Sequence, residues 1–281
     1  MSVVARHFFP GASARPTMNL ESLLDGKTRG ALLVLWMFVL WLVEQRIPLT
    51  LARSRSTGPN LLLTLSLVAV NLSCATLLLF TAQWAEAHQF GMFNWLHAGT
   101  AVRLLGGVML LDFWAAYVIH VLCHKFSALW QLHSVHHSDV VVDVTTAFRQ
   151  HPLESLLRVA FLISGTLFLG LPLWIVALYQ TLSALNAQLE HANVRVPPRL
   201  DRALQWLFVT PNYHKVHHSE NQPETDSNYG NIFSLWDRIF STLNRRSSYH
   251  DISYGLDYLD KAQRLSFWAL LKLPFKSRGG R

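Results

Sequence analysis

The sequence predicts an all-α protein: a multi-span membrane helical bundle with a cytoplasmic histidine-rich cap holding a dinuclear metal site. Three observations lead there. Only 15% of the 281 residues are charged and 51% are hydrophobic, against about 25% charged in ordinary soluble domains. Gly30–Val43, Leu61–Ala82 and Val159–Leu189 contain no Asp, Glu, Lys or Arg. The histidines gather in groups at helical spacing beside these apolar stretches.

A bilayer span needs about 20 mostly apolar residues, and the elements follow from that length. Residues 1–27 read as a disordered tail. Within it Met1–Thr17 is basic and acid-free, with a targeting segment or a start at Met18 as alternatives. Residues 28–100 hold two spans, about 30–51 and 60–82, joined by a turn with Arg53, Arg55, Gly58 and Pro59. A non-cytoplasmic interfacial loop with Trp84 and Trp95 closes this part. Residues 101–245 form the domain that carries the clustered histidines. It opens with a span to about Val121, interrupted only by Asp112, and continues through a polar stretch, His124–Glu154. Residues 159–189 are too long for one span and contain Gly165, Gly170 and Pro172, which predicts a helical hairpin that enters and returns. From Val194 the chain reads as water-facing, with Trp206, Trp236 and Trp268 at the interface and residues 246–281 a cytoplasmic tail.

Charge gives the orientation. No Lys or Arg lies between Arg55 and Arg103, whereas the first connection and the C-terminal third are rich in them. By the positive-inside rule both face the cytoplasm, and so do the histidine groups; Lys27 and Arg29 pull mildly the other way. The membrane would be a bacterial inner membrane, or the endoplasmic reticulum in a eukaryote. The net charge of +7 is scattered, with no long basic run. It fits anionic headgroups or an acidic partner and not nucleic acid. Cys74 and Cys123 form no CxxC, haem or iron–sulfur motif, which leaves them as packing residues.

His120 and His124 are spaced i, i+4. His133, His136 and His137 form HxxHH, and His214, His217 and His218 form a second. His191 ends the hairpin and His151 lies in Arg-Gln-His-Pro. Residues three and four apart share a helix face, so each group can aim two or three imidazoles at one point. Such a cluster without metal would repel itself on protonation near neutral pH. One ion takes four to six ligands, so eight or nine convergent imidazoles imply two ions. Imidazole suits zinc, copper, iron and nickel alike. HExxH is absent, and no carboxylate recurs at ligand spacing. Residue chemistry therefore reaches a dinuclear, nitrogen-rich centre with the metal open. Asp112, Asp139 and Asn193 are candidates to orient the ligands, and Asp143, Arg149 and Glu154 to brace them. His88 and His97 read as packing residues. Trp236-Asp237-Arg238 reads as a pin for the C-terminal part.

Taken in order, these boxes resemble the fatty acid hydroxylase / sterol desaturase superfamily of membrane di-iron oxygenases. The resemblance runs from about residue 101 to 245. It rests on Asp112, Tyr117, His120-x-x-x-His124, Trp130-x-x-His133-x-x-His136-His137-Ser138 and Arg149-x-His151-Pro152-x-Glu154. It continues through His191-Ala192-Asn193, Asn212-x-His214-x-x-His217-His218, Asn228-Tyr229-Gly230 and Leu235-Trp236-Asp237-Arg238. Val121, Ser241 and Ala187 depart from it. Ala187 stands where some family hydroxylases carry a further histidine, which leaves the ligand count open.

The resemblance implies two iron ions, dioxygen as co-substrate, and a membrane lipid hydroxylated or desaturated. The chain carries no haem, flavin or iron–sulfur motif. The expected partner is thus a separate electron donor, a cytochrome b5-like protein or a ferredoxin with its reductase. A zinc-dependent lipid hydrolase is the alternative, and a metal transporter a weaker one, because transport wants ligands through the bilayer interior.

Overall fold

The computed structural model describes residues 25–51, 56–262 and 265–276. The expected tail up to residue 24 and the basic turn at Arg53 and Arg55 lie outside them. Among the described residues four helices are long and apolar enough to cross a membrane: α1 (Gly26–Arg46), the Thr57–Trp95 stretch, α3 (Thr100–Lys125) and α5 (Pro152–Leu169). Within the second, α2 proper is Thr57–Ala87. α4 (Ser127–His137), α6 (Leu173–His191) and α7 (Pro211–His217) complete the frame.

α1 begins as soon as a cap allows. The Asp25 carboxylate accepts from the backbone N–H of Lys27 and Thr28 at 2.8 and 3.1 Å, satisfying two donors that a helix start leaves free. Protein covers little of α1: Val34, Leu35, Phe38 and Leu42 lie exposed, as do Leu62, Leu65 and Leu72 on α2. Contiguous apolar surface of this extent marks a lipid-facing wall. α2 runs on to Ala87, so much of the expected interfacial loop is helix.

The hairpin forms as the sequence predicts, from Pro152 to His191, and turns at Gly170 with φ +68°. Gly170 packs against Gly91. A Cβ on Gly170 would lie 2.4 Å from the Phe90 carbonyl oxygen, and one on Gly91 2.4 Å from the Gly170 nitrogen. No side chain fits either position. Leu78, Val108, Leu111, Leu162, Leu171 and Ile175 bury the centre of the bundle. α3 carries a π-helical turn over Phe113–Val118, just before His120; such turns re-aim the side chains that follow.

At the histidine end a polar lattice joins the spans to the loop after α4. Glu44 accepts from the backbone N–H of Val144 (2.7 Å) and Asn193 (2.8 Å). Asp139 accepts from Ser56, Asn60 and Thr146. The buried Arg149 guanidinium donates to the Val135 carbonyl, Asn60 and Ser138 at 2.7–2.9 Å. The chain after Val194 is not simply water-facing. Ile252 and Tyr254 pack on Val142 and Val216, while Leu270 and Leu273 pack on Leu63, Trp130 and Val135. The segment after residue 245 therefore holds α4 in place. Trp206 and Trp268 are exposed, but Trp236 is buried.

Candidate metal centre

Four elements end at the same end of the bundle, and each delivers imidazoles there. α3 brings His120 and His124 one turn apart on one face, and α4 brings His133, His136 and His137. α6 ends in His191, and α7, started by Thr210 and Pro211, brings His214 and His217 with His218 just beyond. They sort into two groups: His120, His124, His133, His137 and His217, then His136, His191, His214 and His218. Within each, one ligand nitrogen per residue lies within 4.8 Å of all the others. Neighbours in sequence split between the groups, His136 from His137 and His217 from His218, so the groups share a wall.

The outer nitrogens fix the tautomers. His120 Nδ1 meets the Tyr229 carbonyl at 2.9 Å, His217 Nδ1 the Ser227 carbonyl at 2.7 Å, and His191 Nδ1 the Ala187 carbonyl at 2.7 Å. A carbonyl oxygen only accepts, so the ring proton sits on Nδ1 and Nε2 points inward with a lone pair. His133 Nδ1 likewise donates to Glu154 at 2.8 Å, and His124 Nδ1 faces Asp226 at 3.2 Å. The inward nitrogens then crowd. His120 and His133 Nε2 are 3.1 Å apart, and His191 Nε2 is 3.1 Å from Nε2 of His136, His214 and His218. Lone pairs facing each other at that distance repel unless a cation lies between them. Two nitrogens bound at about 2.1 Å to one ion and roughly at right angles would sit about 3 Å apart. His124 Nε2, His217 Nε2 and both nitrogens of His137 are buried without a hydrogen-bond partner among the described residues, a costly arrangement that ligation would remove. The residues fit two adjoining metal ions.

Burial, reinforced by neighbouring imidazoles, holds His133, His136, His137, His214 and His218 well below the usual histidine pKa; burial and the nearby His124 do the same for His217. They are neutral at physiological pH, the form that binds a metal.

The C-terminal boxes work by holding the loop whose carbonyls orient two of the ligands. Asp237 accepts from the backbone N–H of Tyr229 and Gly230, both at 2.8 Å, from Tyr213 at 2.9 Å and from Thr242 at 2.6 Å. This fixes residues 227–230, which receive the His120 and His217 protons. Lys215, facing away from the metals, donates to the His191 and Val142 carbonyls. Burial lowers its pKa to about 8.

Several expected roles fall differently. Asp112 does not touch a histidine: it accepts from the backbone N–H of Ile232 and Phe233 and from Trp236 Nε1. The π turn between Asp112 and His120 widens the helix there, and the carboxylate turns to the C-terminal cap. Asp139 serves the lattice at Asn60, and Asn193 bonds Thr50 and Glu44. His151 lies outside both groups. It caps α5, Nδ1 accepting from the Leu153 N–H at 3.2 Å and Nε2 donating to the Leu271 carbonyl at 3.3 Å. Glu154, the brace of His133, was legible as a candidate. Asp226 was not, because only the fold brings it to His124 across 102 positions. Cys123, His133 and Glu154 also cluster, but through the back of His133, where the Glu154 hydrogen bond accounts for the contact.

A cavity of about 230 Å³ opens beside the groups, reached by His120, His133, His136, His191 and His214 and walled by Leu67, Ala115, Val159 and Leu162. Fold and site together define a helical protein with spans long and apolar enough to cross a membrane and two adjoining all-imidazole groups, each able to hold a metal ion, beside a cavity. Residues 104–242 match the family model described as fatty acid hydroxylase. It is 30% identical over 181 residues to an ornithine lipid hydroxylase of Rhizobium tropici, covering 64% of this chain and 52% of the relative. It is 28% identical to the human alkylglycerol monooxygenase, covering 50% and 30% respectively. It is also 28% identical to a sphingolipid C4-hydroxylase of Saccharomyces cerevisiae, covering 53% and 42%. The alignments thus span about half or less of each relative. No solved structure matches the chain.

Proposed function

We propose that the chain is a membrane-bound oxygenase that hydroxylates a lipid, using dioxygen and electrons from a separate donor protein. The observation that carries this reading is the pair of adjoining all-imidazole groups opening on a cavity inside an apolar bundle. The activities for which these relatives are named, lipid hydroxylation and monooxygenation, support it and favour hydroxylation over desaturation.

The reaction balances as one lipid C–H, one dioxygen, two electrons and two protons giving one C–OH and one water. Two iron ions held by the nine clustered histidines would supply the oxygen activation. The chain's own residues do the rest. His120, His133, His191 and His217 are fixed by their outer partners, so the inner nitrogens need no reorganisation on binding. Leu67, Ala115, Val159 and Leu162 admit an alkyl segment and exclude water from the reacting carbon. The electrons come from outside, and the net charge of +7 suits an acidic donor. The histidine end faces the cytoplasm, by the Lys/Arg gap between Arg55 and Arg103.

Comparative lipid mass spectrometry of cells with and without the chain tests this. A lipid heavier by one oxygen is expected, absent from cells expressing His136→Ala. An unchanged lipid profile, or a hydrolysed lipid in its place, rejects the proposal.

A further inference from the structure

The cavity is not lined like the tunnel of a plain hydrocarbon. At its metal end it is bordered by Arg158 of α5 and Glu190 of α6, with Tyr179, Ser183 and Asn231 around them. The two ionisable groups line one cavity, yet no ion pair within 4.0 Å joins them among the described residues. Arg158 uses Nε, donating at 2.8 Å to the same Glu154 oxygen that takes the His133 proton. Its side chain keeps 21% of its exposure, and among the described residues no hydrogen-bond acceptor is seen for its terminal nitrogens. Glu190 is 3% exposed and receives one long hydrogen bond, from Asn186 Nδ2 to Oε2 at 3.4 Å. Oε1 stands 3.7 Å from His191 Nδ1, whose proton goes to Ala187, and 3.8 Å from His214 Nε2. Neither is a hydrogen bond. A buried carboxylate left this short of donors is costly unless something supplies them.

Resting on the reading that a lipid enters this cavity, we infer that Arg158 and Glu190 form a paired anchor for a lipid polar group that carries both an acceptor oxygen and a hydroxyl or ammonium donor. The size of the cavity agrees. At about 230 Å³ it is smaller than the roughly 300–1,000 Å³ that enclose a drug-sized molecule, so it holds one part of a lipid while the rest lies among the spans. The anchor puts the polar part next to the imidazoles, and the oxidised carbon is then one close to the polar group and not one far along the chain. Arg158, tied through Glu154 to His133, is also a positioning residue, whereas Glu190 makes no hydrogen bond to a metal-binding histidine. Glu190 therefore carries the test.

Binding to the metal-loaded, full-length protein in detergent is measured by native mass spectrometry with three probes. They are a 2-amino-1,3-diol bearing one octyl chain, a capped analogue with the amine replaced by hydrogen and both hydroxyls methylated, and the corresponding alkane. Wild type is expected to hold the uncapped diol about tenfold or more over the capped one. Glu190→Gln is expected to abolish that preference while keeping its full metal content. Glu190→Asp, which withdraws the charge by one methylene, serves if the Gln variant does not accumulate. Equal binding of capped and uncapped probes to wild type, or full preference in both variants, overturns the anchor. Since turnover is not read, failure of the oxygenase reading is distinguishable: a chain that discriminates the probes but oxidises no lipid keeps the anchor and loses the proposed function.

Discussion

Asp237→Asn separates the frame from the ligands. In the native protein Oδ1 accepts from the Tyr229 N–H and Thr242, and Oδ2 from the Gly230 N–H and Tyr213. Asparagine preserves the shape but turns one oxygen into a donor, so the backbone N–H of Tyr229 or Gly230 faces another donor whichever way the amide sits, while the hydroxyl beside it can turn to accept. A buried N–H left unsatisfied costs about 1–3 kcal/mol, a sizeable share of the roughly 5–15 kcal/mol that ordinary domains have. The loop from 227 to 230 loosens, and with it the carbonyls that orient His120 and His217. Loss of such an orienting partner weakens metal binding by about 10–100-fold. The assay is thermal unfolding of the purified protein in detergent, metal-free and loaded, together with a competition titration of the metal. A variant that unfolds at the wild-type temperature and binds metal with unchanged affinity refutes the account of this box.

His136→Ala removes a ligand from the four-histidine group only, so elemental analysis is expected to fall from two ions per chain toward one. Full occupancy in that variant would contradict the grouping. His151→Ala is expected to lose about 0.5–2 kcal/mol as a missing helix cap yet keep both ions; loss of an ion would make it a ligand. The metal-free protein is expected to lose stability as pH falls below about 6.5, the unfolded histidine value. The histidines outside the spans have folded values held well below it by burial, so the unfolded chain binds more protons there and the stability present above that pH disappears in acid. Unfolding temperatures of metal-free protein that stay flat from pH 8 to about 5 would show the imidazoles are not buried neutral. Cysteines placed at Gln89 and Glu220 are expected to label from opposite sides of the membrane, and labelling from one side defeats the topology.

Much of this was legible in the sequence because periodicity and charge are local. Four of the five long helices follow from uncharged stretches, and the hairpin turn from Gly170 and Pro172. Eight of the nine clustered histidines could be named because HxxHH and i, i+4 pairs put their side chains on shared helix faces, and the ninth, His191, because it ends the hairpin. The partners of those histidines were not legible in the same way. The Asp112–Trp236 and His124–Asp226 contacts join residues 124 and 102 positions apart, and nothing in the spacing marks them. Asp112 misled for a definite reason: counting two turns to His120 assumes a regular α-helix, and the turn between them is a π-helix. His151 misled because a histidine at a helix start, before Pro152, caps as readily as it ligates.

The central claim, that this chain puts an oxygen atom from dioxygen into a membrane lipid, is tested most directly by isotope labelling. Membranes containing the chain, a reductant and a donor protein are incubated under labelled dioxygen, and the lipid fraction is read by mass spectrometry. One labelled oxygen per product molecule is the predicted result, with none in membranes carrying His136→Ala. Product that forms equally well without oxygen, or whose new oxygen comes from labelled water, would contradict it.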